Sequence, residues 1–256
     1  MGRIIAITNQ KGGVGKTTTA INLAACLAEK GKKVLAIDMD SQGNMTSGFG
    51  VNREEVEYTI YETLTGDCNI GQSMIVDVID NLSLVPSSVN LSGVEVDFID
   101  LDKPQQVLKG IVRSIRKKFD FIIIDCPPAL GMLTINALTA ADTVIVPIQC
   151  EFYAIEGLSQ LMRTIDLVKK KLNKNLEIEG VVFTMYDSRN NLSEEVVSSV
   201  RAGLDEIIYD TIVPRNVRLA EAPSYGLPIN LYDTRSSGAK AYRELADEVI
   251  KNKLFQ

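Results

Sequence analysis

The chain has 256 residues, of which 45% are hydrophobic and 23% are charged, the balance of a globular protein with a large core. It has 27 basic and 33 acidic side chains, so the net charge of −6 excludes a global positive field, and any nucleic-acid-binding surface must be a local patch. The absence of histidine excludes the commonest general base, so hydrolysis would depend on carboxylates, lysine and a metal ion.

The sequence carries no sign of export or of a membrane span. No window of 18 apolar residues is present, and the first ten residues, MGRIIAITNQ, lack the features of a secretory signal. The four cysteines have no metal-ligand spacing and are expected to be reduced and packed: Cys26, Cys68, Cys126 and Cys150. These features predict a cytoplasmic protein.

Short apolar runs alternate with segments of helical period along the chain. The predicted strands are 4–8, 34–38, 121–125, 143–148, 178–185 and 208–214. The predicted helices are 18–31, which Gly31 ends, 103–118, 154–172, 192–206 and 237–252. Residues 51–100 are the least regular, and we expect short helices there on one edge of the sheet. The alternation predicts a single α/β domain, 1–256, with a mostly parallel twisted sheet covered by helices on both faces.

The stretch NQKGGVGKTTT, residues 9–19, lies between the first predicted strand and the first predicted helix. It resembles the phosphate-binding loop G-x-x-x-x-G-K-[ST], except that Gln10 stands where the first glycine is expected. A glycine-rich turn that merely caps a helix is the alternative. The strand before and the helix after favour the phosphate loop.

The loop residues have the chemistry that a nucleotide requires. Gly12, Gly13 and Gly15 allow the backbone to fold around phosphates with its N–H groups pointing inward. In such loops the lysine, here Lys16, reaches the β- and γ-phosphates, and the hydroxyl of Thr17 binds Mg²⁺. The spacing therefore predicts that ATP and Mg²⁺ are the cofactors.

Acidic residues end two of the predicted strands. Asp125 ends FDFIIIDCPP, at the position where a carboxylate holds Mg²⁺ through water in P-loop proteins. Asp38 and Asp40 follow the strand 34–38 two residues apart, and a carboxylate there could orient the attacking water. A strand-end turn for Asp125 and a solvated turn at 38–40 are the alternatives.

Six motifs together resemble the ParA/Soj chromosome-partitioning ATPases of the short type, over residues 3–250. They are KGGVGKTT with the additional Lys11 of the deviant Walker A motif, IDMDSQGN, IIIDCPP, LTINALTAAD, EFYAIEGLSQL and PRNVRLAEAPSYGLPI. The resemblance implies a P-loop ATPase of weak intrinsic activity that forms an ATP-dependent homodimer. Without it, Lys11 would be interpreted as a solvated loop charge.

The resemblance also implies roles for individual residues. Lys11, Lys16 and Asp40 are the catalytic set; Lys11 reaches the partner's ATP across the dimer and Asp40 orients water. The nucleotide would be bound by Lys11, Gly12, Gly13, Val14, Gly15, Lys16, Thr17 and Thr18, with Pro214, Arg215 and Asn216 at the adenine. Thr17, Asp38 and Asp125 would lie at Mg²⁺. Ser41 replaces the family's usual proline after Asp40, which predicts a looser loop.

The resemblance extends to DNA and protein partners. Arg189 and Arg218 match the arginines that bind DNA without sequence preference, and Lys169, Lys170, Lys171 and Lys174 either extend this patch or form a solvated helix end. The implied partners are non-specific DNA, a ParB/Spo0J-type centromere-binding protein that stimulates hydrolysis, and a replication initiator. The resemblance also implies a role in the control of replication initiation or of sporulation. The protein would then be associated with the nucleoid.

Two rival functions are a MinD-like membrane-associated ATPase and a metabolic P-loop enzyme. A membrane anchor would need bulky apolar residues opposite a basic face near the C-terminus. The tail AYRELADEVIKNKLFQ instead mixes acids with bases opposite an apolar stripe made by Tyr242, Leu245, Ala246, Val249 and Ile250. We therefore expect this helix to dock on the core and the protein not to bind membranes.

Overall fold

The computed structural model describes residues 2–151, 154–204 and 208–252. Its centre is an eight-stranded sheet in the order β3-β4-β2-β5-β1-β6-β7-β8, in which only the β3–β4 pair is antiparallel. The strands are β1 Arg3–Ile7, β2 Val34–Asp38, β3 Ile75–Ile79, β4 Leu82–Val85, β5 Phe121–Asp125, β6 Thr143–Gln149, β7 Glu177–Tyr186 and β8 Ile208–Pro214. The predicted fold class is confirmed.

Helices cover both faces of this sheet. They are α1 Lys16–Glu29, α2 Asn44–Gly48, α3 Ile60–Thr65, α4 Ile70–Ser73, α5 Val94–Asp97, α6 Val107–Ile115, α7 Met132–Ala140, α8 Ala154–Lys171, α9 Asn191–Gly203, α10 Val217–Glu221, α11 Ile229–Tyr232 and α12 Ser237–Lys251. The predicted helix 103–118 is shorter as α6, because single 3-10 turns at Pro104–Gln106 and Arg116–Lys118 flank it. The end of the predicted helix 192–206 lies outside the described residues.

The strands are apolar without interruption because the sheet is buried on both sides. In β1, Ile4 and Ala6 join the core beneath α6, α7 and α8, whereas Ile5 and Ile7 join the opposite core beneath α1 and α12. Each fully buried isoleucine contributes about 2 kcal/mol of transfer free energy, so the two cores hold the central strands firmly. A rigid sheet edge results, on which loops can be placed accurately.

The prediction of only short helices in residues 51–100 is wrong for part of that segment. The short helices α3, α4 and α5 are present, but β3 and β4 are added to the sheet, and β4 pairs with β2. β4 is only LSLV, and such a short apolar run has too few residues to show a period. Most of helix α7 falls within the motif LTINALTAAD, where no helix was predicted.

The C-terminal helix α12 packs on the core as expected. Tyr242, Leu245, Ala246 and Val249 are buried against α1 and β8, and Ile250 is partly buried beside them. The predicted packing of the cysteines is also confirmed, since all four are buried and unbridged. Among the described residues, no helix is long and apolar enough to cross a membrane.

Candidate nucleotide-binding site

The glycine-rich loop joins the end of β1 to the start of α1. Gly13 and Gly15 adopt φ angles of 74° and 85°, a left-handed conformation that residues with a Cβ rarely adopt. Gly15 is the N-cap residue of α1, and no side chain caps the helix there. The first N–H groups of α1, together with the positive end of the helix dipole, are therefore available to an anion.

Side chains from neighbouring strands hold the loop in this shape. The Thr184 hydroxyl, at the end of β7, donates to the Val14 carbonyl at 2.8 Å. Asn9 donates to the Pro147 carbonyl at 2.8 Å and accepts from the Lys11 N–H at 3.1 Å. The loop is thus positioned by the two strands β6 and β7 before any ligand binds.

Gln10, at the position of the first glycine of the usual motif, links the loop to a helix. Its side-chain amide donates to the Gly157 carbonyl at 3.2 Å and to the Gln160 side chain at 2.8 Å, both in α8. A glycine could make neither contact. Gln10 therefore joins the start of the loop to α8, the helix that follows β6.

Lys16 is buried and points back across its own loop. Its ammonium donates to the Lys11 carbonyl at 2.9 Å. Burial lowers the pKa of Lys16, and the nearby charges of Asp125 and Asp40 only partly offset that effect. A phosphate group would supply the counter-charge that this desolvated ammonium lacks.

The acidic residues converge beside the loop because three neighbouring parallel strands end in register. Asp125 lies opposite Ile7 on one side and opposite Asp38 on the other. Both carboxylates are completely buried. The structure thus brings the sequence-predicted Asp38, Asp125 and Lys16 together at the carboxyl edge of the sheet.

The two carboxylates differ in their hydrogen bonding. Asp38 accepts from the Thr46 N–H at 2.8 Å, the Thr46 hydroxyl at 2.7 Å and the Asp40 N–H at 3.1 Å. Burial raises the pKa of Asp38 to about 6 despite these bonds. Because its oxygens are already engaged, Asp38 is suited to fixing the Asp40 loop and to contacting a cation indirectly.

Neither carboxylate oxygen of Asp125 has a partner within hydrogen-bond geometry. Burial raises its pKa well above the usual value, the Asp38 charge adds to the rise, and the Thr17 hydroxyl and Lys16 ammonium nearby lower it less. A buried, unpartnered carboxylate beside a threonine hydroxyl has the hard oxygen donors that Mg²⁺ prefers. In the described ranges no three His, Cys, Asp or Glu side chains are grouped as a metal site.

Two adjoining cavities open along the loop and share Gly15 and Thr18. The polar cavity, of about 380 Å³, is lined by the loop glycines, Lys16, Thr17, Asp40, Gln42, Asn44 and Pro128. The apolar cavity, of about 370 Å³, is lined mainly by residues at the ends of β7 and β8 and in α10, including Thr184, Met185, Val213, Leu219 and Tyr242. The two cavities therefore meet at the start of α1.

The predicted adenine residues Pro214, Arg215 and Asn216 line the apolar cavity. The Arg215 N–H donates to the Tyr186 carbonyl at 2.9 Å, which joins the loops after β8 and β7. Asn216 caps α10 by accepting from the Arg218 N–H at 2.8 Å and also donates to the Ser237 hydroxyl at 2.7 Å. These bonds join the segment to the end of β7 and to the start of α12.

Lys11 is held within its own chain. Its ammonium forms an ion pair with the Glu151 carboxylate, at the end of β6, and both side chains are partly exposed. The Lys11 side chain is absent from the lining of both cavities described above. Glu151 was quoted in a motif and not singled out, since a lone acid after a strand carries no periodic signal.

The predicted DNA-binding residues lie on the surface, and several are paired with acids. Arg189 is 87% exposed and forms a two-pronged pair with Asp187, at 2.9 and 2.7 Å. Arg218 pairs with Glu221 at 2.8 Å. In the lysine run, Lys169 pairs with Glu177 at 2.6 Å, while Lys170, Lys171 and Lys174 are exposed. Arg189 and Arg218 follow the adjacent strands β7 and β8, so they share one end of the sheet.

The fold and the site define a P-loop nucleotide-binding protein. The sequence profile of the AAA domain family matches residues 2–178. The chain is 51% identical over 252 residues to the sporulation initiation inhibitor protein Soj of Bacillus subtilis, covering 98% of this chain and 100% of that one. It is 50% identical to the chromosome partitioning protein ParA of Myxococcus xanthus, covering 98% of this chain and 89% of that one. The chain belongs to the ParA/Soj family of chromosome-partitioning ATPases.

A solved structure supports the same assignment of the fold. It is the cobyrinic acid a,c-diamide synthase from Mycobacterium smegmatis with a bound ATP analogue and magnesium. It has a TM-score of 0.87 and 35% identity, and the match covers 98% of this chain and 95% of the other. A fold this similar therefore accommodates an adenine nucleotide and Mg²⁺.

Proposed function

We propose that this chain, as one P-loop ATPase domain over residues 1–256, is a nucleotide-gated DNA partitioning switch. The ATP-bound form is a homodimer that binds DNA without sequence preference, and hydrolysis stimulated by a partner protein returns it to a form that releases DNA. The observation that carries the proposal is the pair of adjoining cavities, one polar beside buried carboxylates and one apolar. The similarity to partitioning proteins supports the biological role.

The chain's own groups bind the nucleotide in this proposal. The N–H groups from Gly12 to Thr18, including those of Val14 and Gly15, surround the phosphates, and Lys16 supplies the counter-charge. Pro214, Arg215 and Asn216 enclose the adenine ring in the apolar cavity. When bound, Mg²⁺ would neutralise phosphate charge, and Thr17, Asp38 and Asp125 would hold it.

Hydrolysis depends on Asp40, which lines the polar cavity. The Asp40 carboxylate can accept a hydrogen bond from the attacking water and so orient it. The chain has no histidine that could take this role. The Asp40 main chain is held by the Ser87 hydroxyl at 2.6 Å.

Dimer formation requires Lys11 to change partner. In the isolated chain its ammonium pairs with Glu151. In the proposed dimer Lys11 instead contacts the nucleotide of the other subunit, where it would act as an arginine finger does in trans. The exchange of an internal carboxylate for a phosphate charge makes the dimer conditional on ATP.

In this proposal, DNA binding becomes effective when the dimer brings together the weak basic patches of its two subunits. If Arg189, Arg218 and one lysine of each subunit contact phosphates, the dimer neutralises about six and log K falls with log salt at a slope of about −5. The arginines must first exchange Asp187 and Glu221 for DNA phosphates. Because of this competition, the single chain binds DNA weakly. Only the dimer is then associated with the nucleoid.

The proposed protein partner is a ParB/Spo0J-type centromere-binding protein that stimulates hydrolysis. The Bacillus subtilis relative is named for inhibition of sporulation initiation, which extends the proposal to sporulation control, with a replication initiator as a further target. No membrane role is proposed, since the apolar stripe of α12 is buried against α1 and β8.

Sedimentation velocity without nucleotide, with ADP, and with ATP and Mg²⁺ tests the proposal. We expect a dimer only with ATP and Mg²⁺, and no dimer for Lys11→Ala at the same nucleotide occupancy. A single chain in all three conditions, despite bound ATP, would refute the gated switch. Lys33→Ala is the matched control, because Lys33 is exposed beyond α1.

A second candidate is a small-molecule synthase, the activity for which the similar Mycobacterium smegmatis protein is named. Such an enzyme would increase ATP turnover with an acceptor metabolite. A partitioning ATPase would respond to DNA together with a partner protein. Steady-state turnover measured with each addition separates the two.

A further inference from the structure

Arg53 contacts the loop that carries Asp40 although it lies in none of the recognised motifs. It begins a one-turn 3-10 helix, Arg53–Glu55, which Asn52 caps. Its guanidinium donates to the Ser41 carbonyl at 3.3 Å and, through the same nitrogen, to the Gln42 carbonyl. The side chain is half-buried, so these contacts form partly away from water.

The first of these contacts reaches Asp40 through a single peptide group. The Ser41 carbonyl and the Gln42 N–H belong to the same planar peptide, and that N–H donates to the Asp40 carboxylate at 3.0 Å. Holding the oxygen of a rigid plane therefore sets the direction of its N–H. A cation on the carbonyl also polarises the peptide, which strengthens the hydrogen bond at the other end.

The Arg53 side chain occupies the space that a side chain at position 43 would need. Gly43 has a φ angle of 64°, and a Cβ atom placed there would lie 2.2 Å from the Arg53 guanidinium nitrogen. From the other side, the buried Ser87 hydroxyl donates to the Asp40 carbonyl at 2.6 Å. The Asp40 loop is thus held on its inner side by Ser87 and on its outer side by Arg53.

We propose that Arg53 is a positioning residue for ATP hydrolysis, which orients the Asp40 carboxylate through the Ser41–Gln42 peptide. The proposal rests on the proposed ATPase function. It also explains how the loop can carry Ser41 in place of the family's usual proline. The Arg53 contacts restrict the backbone there, as a proline ring would. Arg53 is absent from the lining of the polar cavity, so its effect on nucleotide affinity is small.

Two measurements on Arg53→Ala, Arg53→Lys and the control Arg201→Ala test this role. Without nucleotide, we expect amide hydrogen exchange in residues 40–44 to be about fivefold faster in Arg53→Ala, because the loop loses its outer contacts. With ATP and Mg²⁺, we expect kcat to fall about tenfold while KM changes less than about twofold. Arg53→Lys, which keeps one donor group, should lie between Arg53→Ala and the wild type.

Gly43→Ala disturbs the same loop in two ways, because its new methyl group meets the Arg53 guanidinium and because a residue with a Cβ is strained at its φ angle of 64°. It should therefore be impaired in exchange and in kcat at least as much as Arg53→Ala, and Arg53→Ala should add little to it in the double variant. Unchanged exchange, an unchanged or higher kcat, or equal losses of kcat and nucleotide affinity in Arg53→Ala would overturn the proposal. If the wild type did not hydrolyse ATP, the proposed function would fail, while the exchange data would still decide whether Arg53 holds the loop.

Discussion

Asp38 and Asp125 lie opposite each other on adjacent parallel strands, both completely buried, yet only Asp38 has hydrogen-bond partners. Placing an unpartnered carboxylate in this interior is costly, and burial raises its pKa accordingly. The arrangement stores an unfavourable free energy that a cation would relieve. Stability and ligand binding are therefore coupled at this pair.

The first prediction concerns Asp125→Asn in the nucleotide-free protein. Because the pKa of Asp125 is higher in the folded chain than its usual 3.8, the folded state binds more protons and loses stability as pH rises above that value. Removing the charge should raise Tm by about 3 °C at neutral pH, with a smaller gain in acid. Thermal denaturation at several pH values measures this, and a lower Tm for the variant at neutral pH would contradict it.

The second prediction is that Lys16→Ala weakens ATP binding about 100-fold, because a charge-assisted contact to phosphate is worth about 3 kcal/mol. The fold should be retained, since the substitution also removes a desolvated ammonium. Titration with a fluorescent ATP analogue gives the affinity. Wild-type affinity in Lys16→Ala would show that the loop does not bind the phosphates.

The third prediction separates hydrolysis from binding at Asp40. Asp40→Ala should lower turnover about 100-fold while leaving ATP affinity unchanged, so the protein remains in its ATP-bound dimer on DNA. Asp40→Asn serves as the control for shape, because it keeps the oxygen that accepts from the Gln42 N–H. Normal turnover in either variant would remove Asp40 from the proposed mechanism.

The fourth prediction addresses the Lys11–Glu151 pair. Glu151→Gln should shift the ATP-dependent dimer equilibrium toward the dimer by about twofold to fivefold, since a partly exposed ion pair is worth up to about 1 kcal/mol. The effect should disappear in Lys11→Ala, because the pair is then already broken. A weaker dimer in Glu151→Gln would mean that Glu151 supports the dimer instead of competing with it.

Sequence alone was sufficient for the parts of the molecule that repeat a physical pattern. Continuous β-branched runs identified the central strands, and the spacing of Gly15, Lys16 and Thr17 identified the loop. The four-residue strand β4 was missed because it is too short to show a period.

The supporting residues of the site could not be found from sequence, because their partners are distant along the chain. Ser87 contacts Asp40 across 47 positions, and Thr184 contacts Val14 across 170. Arg53 resembles any solvated arginine in an irregular segment. Only the folded arrangement shows that these side chains hold the backbone of the loops that carry the chemistry.

The fifth prediction concerns the DNA surface. Arg189→Glu combined with Arg218→Glu should abolish DNA retention while preserving the ATP-dependent dimer, because both side chains lie on the surface outside the polar cavity. The control with the same charge change is Lys117→Glu combined with Lys118→Glu, which lie before the central strand β5 at the amino ends of the parallel strands. Equal loss of DNA binding in both pairs would indicate a general charge effect and not a defined patch.

The central claim, that ATP gates DNA binding, is tested most directly by DNA retention of the purified protein at low and moderate salt. The conditions are no nucleotide, ADP, and ATP with Mg²⁺. We predict retention only with ATP and Mg²⁺, and a steep loss as salt rises because counterions compete for the phosphates. Equal retention in all three conditions, or none in any despite intact ATP binding, would contradict the account.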